Sequence, residues 1–243
     1  MILDYTLRHV GDQALCVEFA NEISLQTNRN LCALKVALEN QAICGIRELI
    51  PTYRSLLILY DPFVVEWTAI QAAVDACIGN LGNIQPEKSI VTEIPVLYEG
   101  EYAMDIEDIA KLENKTVEEV IRIHSQSDYY VYMLGFSPGH PYTARFENPF
   151  SFQRRSSPRI RIPGGCVVVQ REQSNITPFD QPCGWNVIGS TPLLMCDYRH
   201  GTPFLLKAGQ WVRYVPIDRY EFTEIKRQVE LDCYQCKTYE KEA

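Results

Sequence analysis

Three segments of the 243-residue chain combine residue types and spacing that suit binding or catalysis. The first runs from Tyr132 through Gly135, Phe136, Ser137, Pro138, Gly139, His140 and Pro141 to Tyr142. Its backbone is stiff at the two prolines and free to take positive φ at the two glycines. A loop of that kind holds backbone amides in place for a ligand, and a structural turn with aromatic packing uses the same residues. The second segment is Pro158-Arg159-Ile160-Arg161-Ile162-Pro163-Gly164-Gly165. If extended, it points both arginines to one side and both isoleucines to the other. Arg161 beside Pro163 and Gly164 then offers a planar fork for a carboxylate or phosphate, with a solvated strand face as the alternative.

The third segment opens with Gln173, Ser174 and Asn175 and ends with Gly184, Trp185 and a strand. The three polar residues suit an amide or lactam, and a polar turn explains them equally well; Trp185 suits core packing. His124 falls on the apolar face of a helix with Val117, Val120 and Ile121, where a packed imidazole is the default and a catalytic one the alternative. Neither G-x-x-x-x-G-K-[ST] nor G-x-G-x-x-G occurs. Of the nine cysteines only Cys233 and Cys236 have metal-like spacing, and no histidine pair completes a site, so no metal ligands are expected.

The elements that position these segments fall into two parts. Residues 1–134 hold 4 prolines and 5 glycines, whereas residues 135–216 hold 10 and 8. That shift marks short strands and tight turns after residue 134. Before it, strands at Leu15–Phe19, Ile46–Leu49, Leu56–Tyr60 and Ile90–Leu97 alternate with helices at Ser24–Glu39 and Val65–Ile78, the latter stopping near Gly79 or Gly82. The order is that of a split βαβ (ferredoxin-like) arrangement. Helices follow at Asp105–Leu112 and, behind a Thr116/Glu119 capping box, to Ser125. Strands are then expected at Tyr130–Phe136, Val167–Gln170, Asn186–Gly189, Leu193–Cys196 and Trp211–Val215. The chain reads as α+β: an N-terminal α/β domain over 1–97, a β-rich domain over 98–219, and a C-terminal helix or tail over 220–243.

With 46% apolar residues and a net charge of −8, the composition is that of a globular protein and excludes a global nucleic-acid binder. The charge is uneven: residues 87–128 carry 11 acids and 4 bases, and residues 145–171 carry six arginines (145, 154, 155, 159, 161, 171) and one acid. Nine cysteines, early charge at the N-terminus and no long apolar run point to a reducing cytoplasm without a leader or membrane span.

Several segments, in order, resemble one family. They are Pro51-Thr52-Tyr53-Arg54-Ser55-Leu56-Leu57, Tyr132 to Tyr142, Arg161-Ile162-Pro163-Gly164-Gly165, Gly184 to Pro192, and Gly209 to Ile217. The sequence is similar to the family of 5-oxoprolinase B subunits and KipI, also described as allophanate hydrolase subunit 1 or carboxyltransferase subdomain C/D. The resemblance implies that the β-rich domain is a cyclophilin-like β-barrel. It implies a protein that joins a second cyclophilin-like subunit (the 5-oxoprolinase C type) and a lactam hydrolase subunit in ATP-dependent cleavage of 5-oxo-L-proline to glutamate, with ATP and Mg shared with the partner. The KipI alternative is an inhibitor of a sensor histidine kinase. On the enzyme reading His124, Arg161 and Gln173 are the catalytic candidates. Tyr132, Gly135, Phe136, Pro138, Gly139, His140, Pro141, Tyr142, Pro163, Gly164, Gly184 and Trp185 are the substrate-binding ones. His140 stands where the family usually has Phe, so an imidazole there is not expected as a required base. Arg171-Glu172-Gln173 replaces Gly-Gly-Gln, and Cys183 replaces the first glycine of Pro-Gly-Gly-Trp.

Overall fold

A computed structural model describes residues 4–80, 89–144 and 150–241. Gly82, Arg145 and Glu147 lie outside the described residues. The chain divides into two compact units, Met1–Glu87 and Lys88–Ala243. No described helix is long and apolar enough to cross a membrane.

In the first unit β1 (Thr6–His9), β2 (Ala14–Glu18), α1 (Leu25–Gln41), β3 (Ile46–Pro51), β4 (Ser55–Tyr60) and α2 (Trp67–Asn80) follow in order. Period-two alternation places Leu56, Ile58 and Tyr60 of β4 inward, and helical spacing brings Leu31, Leu34 and Leu38 of α1 and Ile70 and Val74 of α2 onto them. Each enclosed leucine contributes on the order of 1.5–3 kcal/mol. α1 starts where the Ser24 hydroxyl accepts from the Thr27 N–H and stops where Ala42 turns left-handed at φ 47°. The Pro51–Arg54 turn is closed by Thr52 N–H donating to Ser55 O at 2.8 Å, and the buried Asn28 amide donates to Thr52 O at 2.8 Å.

The sheet order is β1-β2-β4-β3, with every neighbouring pair antiparallel. This corrects one expectation. The strand near Ile90–Leu97 does not close the N-terminal sheet, because β1 already occupies the edge beside β2. It belongs to the second unit.

That unit contains β5 (Ser89–Val96), α3 (Ile106–Leu112), α4 (Val117–Gln126), β6 (Asp128–Leu134), β7 (Pro141–Ala144), β8 (Arg159–Ile162), β9 (Cys166–Gln170), β10 (Gln173–Ile176), β11 (Gln181–Cys183), β12 (Asn186–Ser190), β13 (Trp211–Pro216), α5 (Arg219–Glu230) and β14 (Thr238–Lys241). Eight of its strands form one sheet, β12-β9-β10-β7-β6-β13-β5-β14. The sheet closes on itself past β5: Leu97 and Ser190 exchange backbone hydrogen bonds at 2.9 and 3.0 Å. Gly189 permits this contact, because a Cβ there would stand 2.6 Å from Val96 Cγ1 and 3.1 Å from Leu97 O. β5 suits an interior place, since Val91, Thr92, Ile94, Pro95 and Val96 are all buried and it is flanked by β13 in parallel and β14 antiparallel.

Of residues 220–243, expected as a helix or tail, α5 is the helix, capped by an Asp218/Glu221 box, and β14 adds a strand that extends the sheet. Two more expectations change. Leu193–Cys196 is not a strand; Cys196 alone makes a bridge, to Phe204. On β8 the arginines and isoleucines do not separate by face, because a bulge against β11 breaks the pleat and leaves Ile160 91% exposed while Ile162 is buried. The Thr116/Glu119 capping box is present as expected, with Glu119 N–H to Thr116 Oγ1 at 3.2 Å and Thr116 N–H to Glu119 Oε2 at 2.8 Å.

Candidate functional site

β6 delivers the chain into the Gly135–His140 loop, and β7 carries it away through Pro141 and Tyr142. The loop is tied internally: Gly135 N–H donates to His140 O and His140 N–H to Ser137 O, each at 3.0 Å. Gly139 has φ 78°, and a Cβ there would meet Met195 O at 2.8 Å, so both conformation and space require glycine. Phe136 also has positive φ, 69°, while 69% of its surface is exposed. A bulky residue held left-handed and in water is strained, and such strain concentrates at binding loops.

A buried polar chain supports the loop. Tyr98 OH meets His124 Nδ1 at 2.7 Å, and His124 Nε2 meets Ser174 Oγ at 2.8 Å. Thr143 Oγ1 donates to Ser174 O, and Thr143 N–H donates to Asn175 Oδ1 at 3.0 Å. The Asn175 amide nitrogen faces His140 Nε2 at 3.4 Å, Gln181 meets His140 Nδ1 at 3.3 Å, and Ser137 Oγ lies 3.1 Å from Gln181 Oε1. Asn175 is oriented by the Thr143 N–H, so it donates to Nε2 and the His140 proton sits on Nδ1. All groups are then satisfied when the Gln181 amide turns its oxygen to that proton and its nitrogen to Ser137 Oγ. Burial lowers His124 from 6.5 to about 3 and His140 to about 4, so both imidazoles are neutral.

The arrangement sorts the residues singled out by sequence. His124 is fully enclosed and stacked on Tyr214, with ring centroids 4.3 Å apart, which is the packed alternative. Ser174 and Asn175 are buried and bind the protein itself instead of presenting to a lactam. Tyr132 is enclosed; His140 packs between Phe136 and Tyr142, with centroids 5.7 and 5.1 Å away. Gln173 opens β10 and pairs across to Ala144 and Gln170. Arg161 is exposed and already engages Asp180 through both Nε, at 2.9 Å, and Nη2, while Asp180 Oδ1 accepts the Gly164 N–H at 3.0 Å. The Arg161 guanidinium holds the Asp180 carboxyl below its usual range. Pro163 and Gly164 are exposed beside this pair, and buried Gly184 and half-buried Trp185 follow β11.

Asn175 and Gln181 as partners of His140 escaped the sequence reading, because neither amide lies within thirty residues of it in the chain; the polarity of His140 in an aromatic slot was the signal. The acidic and arginine-rich stretches also meet. Asp105, enclosed, accepts from Arg155 Nη1 at 2.6 Å, Arg159 Nη1 and Nη2 at 2.8 and 2.7 Å, and Val187 N–H at 2.7 Å. Elsewhere, a hollow of about 290 Å³ is lined by Asp197, Arg199, His200 and Asp232. Its carboxylates are taken, Asp197 by Arg199 and Asp232 by His200 at 3.1 Å.

Comparison with known proteins places this geometry. The family model for the carboxyltransferase domain, subdomain C and D, matches residues 5–206. The chain is 33% identical over 238 residues to the 5-oxoprolinase B subunit of Bacillus subtilis (strain 168), covering 94% of this chain and 99% of that protein. It is 31% identical over 206 residues to the 5-oxoprolinase B subunit of Haemophilus influenzae, covering 85% and 95%. The crystal structure of TTHA0988 superposes with a TM-score of 0.74 at 31% identity, over 88% of this chain and 40% of that one. The K. lactis urea amidolyase shares the fold, with a TM-score of 0.81 at 19% identity over 99% of this chain and 16% of that one. With the family model matched from residue 5 to residue 206, the chain belongs to the carboxyltransferase domain, subdomain C and D, family.

Proposed function

We propose that this chain is one component of an ATP-dependent amidase complex that opens 5-oxo-L-proline to L-glutamate. The observation that carries the reading is the identity to a 5-oxoprolinase B subunit along 99% of that protein's length. The name of a subunit implies others, and the proposed partners are a second cyclophilin-like subunit, of the 5-oxoprolinase C type, and a lactam hydrolase subunit, all in the cytoplasm. The closed sheet of the second unit is proposed as the matching cyclophilin-like barrel. The isolated chain is inactive on this reading.

The chemistry follows from the lactam, which is a poor electrophile. Its carbonyl oxygen takes the γ-phosphoryl group of ATP, the bond between the β- and γ-phosphates breaks, and ADP leaves. Water then adds to the ring carbon, the C–N bond opens to leave an acyl phosphate and a free amine, and a second water attacks the same carbon, so that phosphate departs with the former lactam oxygen and the carboxylate of glutamate remains. Phosphoryl transfer is mainly positioning and charge neutralisation. Phe136, Pro138, Pro163, Gly164 and Arg161 reach solvent and are proposed for contact with substrate or partner. Tyr132, Gly139, His140 and His124 hold the loop that presents them, with His124 bonded to Ser174 and Tyr98 and away from solvent. Among the described residues no group of three or more His, Cys, Asp or Glu is placed to hold a metal ion. Mg is proposed to come with ATP and to be shared with the partner subunit.

Co-expression with the partner subunits tests this reading. Phosphate release should depend on 5-oxoproline and require all subunits; release that ignores 5-oxoproline in the complete complex rejects it.

A further inference from the structure

The arginines grouped between residues 145 and 171 have unequal fates. Arg155 and Arg159 are bound to Asp105, and Arg161 to Asp180. Arg154 and Arg171 have no carboxylate partner among the described residues. Arg171 sits on the turn between β9 and β10, whereas Arg154 is built into the neighbourhood of the family motifs.

Gly184 marks where the Arg154 side chain lies. Its φ is not in the left-handed region, so its backbone does not call for glycine. A Cβ on Gly184 would stand 2.9 Å from Arg154 Nη2, 3.2 Å from Nε and 3.5 Å from Cζ, so it would displace the end of that flexible side chain and no backbone. The guanidinium therefore lies against the backbone just past β11, the strand that supplies Gln181 to the His140 cluster. Burial raises the Tyr142 hydroxyl and the Cys183 thiol, and the Arg154 charge opposes both rises, so all three groups share one electrostatic neighbourhood.

We infer that Arg154 is a carboxylate clamp, its planar fork binding a small monoanion over Gly184 beside Tyr142. A guanidinium matches a carboxylate through two parallel N–H···O bonds. Asp180 neutralises Arg161, while the one carboxylate of Asp105 is shared by Arg155 and Arg159, so with Arg154 a net charge of about +2 remains, enough to hold a carboxylate and short of a triphosphate. The identification of that carboxylate as the one on 5-oxoproline rests on the function proposed above.

The test uses the complex with its partner subunits and compares wild type, Arg154→Gln and Gly184→Ala. The second variant leaves Arg154 in the chain but pushes its fork aside without backbone strain. Calorimetric titrations use 5-oxoproline, 2-pyrrolidinone (the same ring without the carboxylate), acetate and inorganic phosphate, and KM is measured separately for 5-oxoproline and ATP. Losing a charge-assisted pair should raise the KM for 5-oxoproline about 10- to 100-fold in Arg154→Gln, with a smaller rise in Gly184→Ala and the KM for ATP unchanged. Binding of 5-oxoproline should weaken alike, and the variants should not differ from wild type toward 2-pyrrolidinone. Unchanged affinity for 5-oxoproline in Arg154→Gln overturns the clamp, and so does a loss confined to ATP and phosphate, which makes Arg154 a phosphate contact. If the wild-type complex shows no 5-oxoproline-dependent turnover, the proposed function falls by itself. The clamp is then decided by acetate, which must bind wild type more tightly than Arg154→Gln for the clamp to stand.

Discussion

Arg159 and Arg161 sit two residues apart on β8, yet one points to a carboxylate enclosed in the protein and the other to a carboxylate in water. Asp105 is 3% exposed at its side chain and accepts four hydrogen bonds, three from arginines and one from the β12 backbone. Asp180 is 47% exposed, as part of a pair whose arginine is 76% exposed. Water and salt screen the second pair, and two mobile side chains must be ordered to make it. The first pair cannot be hydrated if broken. One stretch of sequence thus supplies both a structural anchor and cations that a ligand can reach, and the environment of the carboxylate decides which is which.

The largest effect should come from the enclosed end. Asp105→Ala leaves Arg155, Arg159 and the Val187 N–H without their acceptor, and should cost about 3–5 kcal/mol in urea unfolding. A loss no greater than that of Asp180→Ala would break the comparison. Acid probes the enclosed groups next. His140 is held near 4 in the folded chain against 6.5 ordinarily, so between these values the unfolded state takes the proton and the folded state does not. Stability should therefore fall as pH drops from about 6.5 to about 4, by up to roughly 3 kcal/mol for a shift of this size. His124, lowered to about 3, adds a like slope over the same range, so His140→Phe should remove about half of the acid-side fall in the melting temperature; an unaltered profile would mean that His140 is not a sensor. Gly189→Ala, at the closure beside Val187, should cost about 1–3 kcal/mol by pushing a methyl onto Val96. Smallest of all, Asp180→Ala should leave the melting temperature unchanged within error while releasing Arg161, which sharpens the contrast with Asp105.

Much of this was legible in the chain. Period-two alternation at Leu56–Tyr60, the Thr116/Glu119 box and the clustering of proline and glycine after residue 134 located elements correctly, because each is a local effect of backbone geometry or capping. The failures were tertiary. β5 reads as a strand, but only pairing decides that it lies between β13 and β14. β14 is a polar Thr-Tyr-Glu-Lys segment that is a strand because β5 offers it an edge. The Arg/Ile alternation of β8 fails at a bulge that no local rule announces. At the site, the stiff loop from Gly135 to Pro141 was visible as punctuation, whereas the difference among Arg154, Arg159 and Arg161 depends on carboxylates 19 to 54 residues away or absent.

The central claim, that the complex activates the lactam by phosphorylating its oxygen, has one direct test. 5-Oxoproline labelled with ¹⁸O in the ring carbonyl is turned over by the complete complex with unlabelled ATP and water, and the released phosphate is weighed by mass spectrometry. The account predicts one ¹⁸O in the phosphate for each glutamate formed. Glutamate formed with unlabelled phosphate would contradict it.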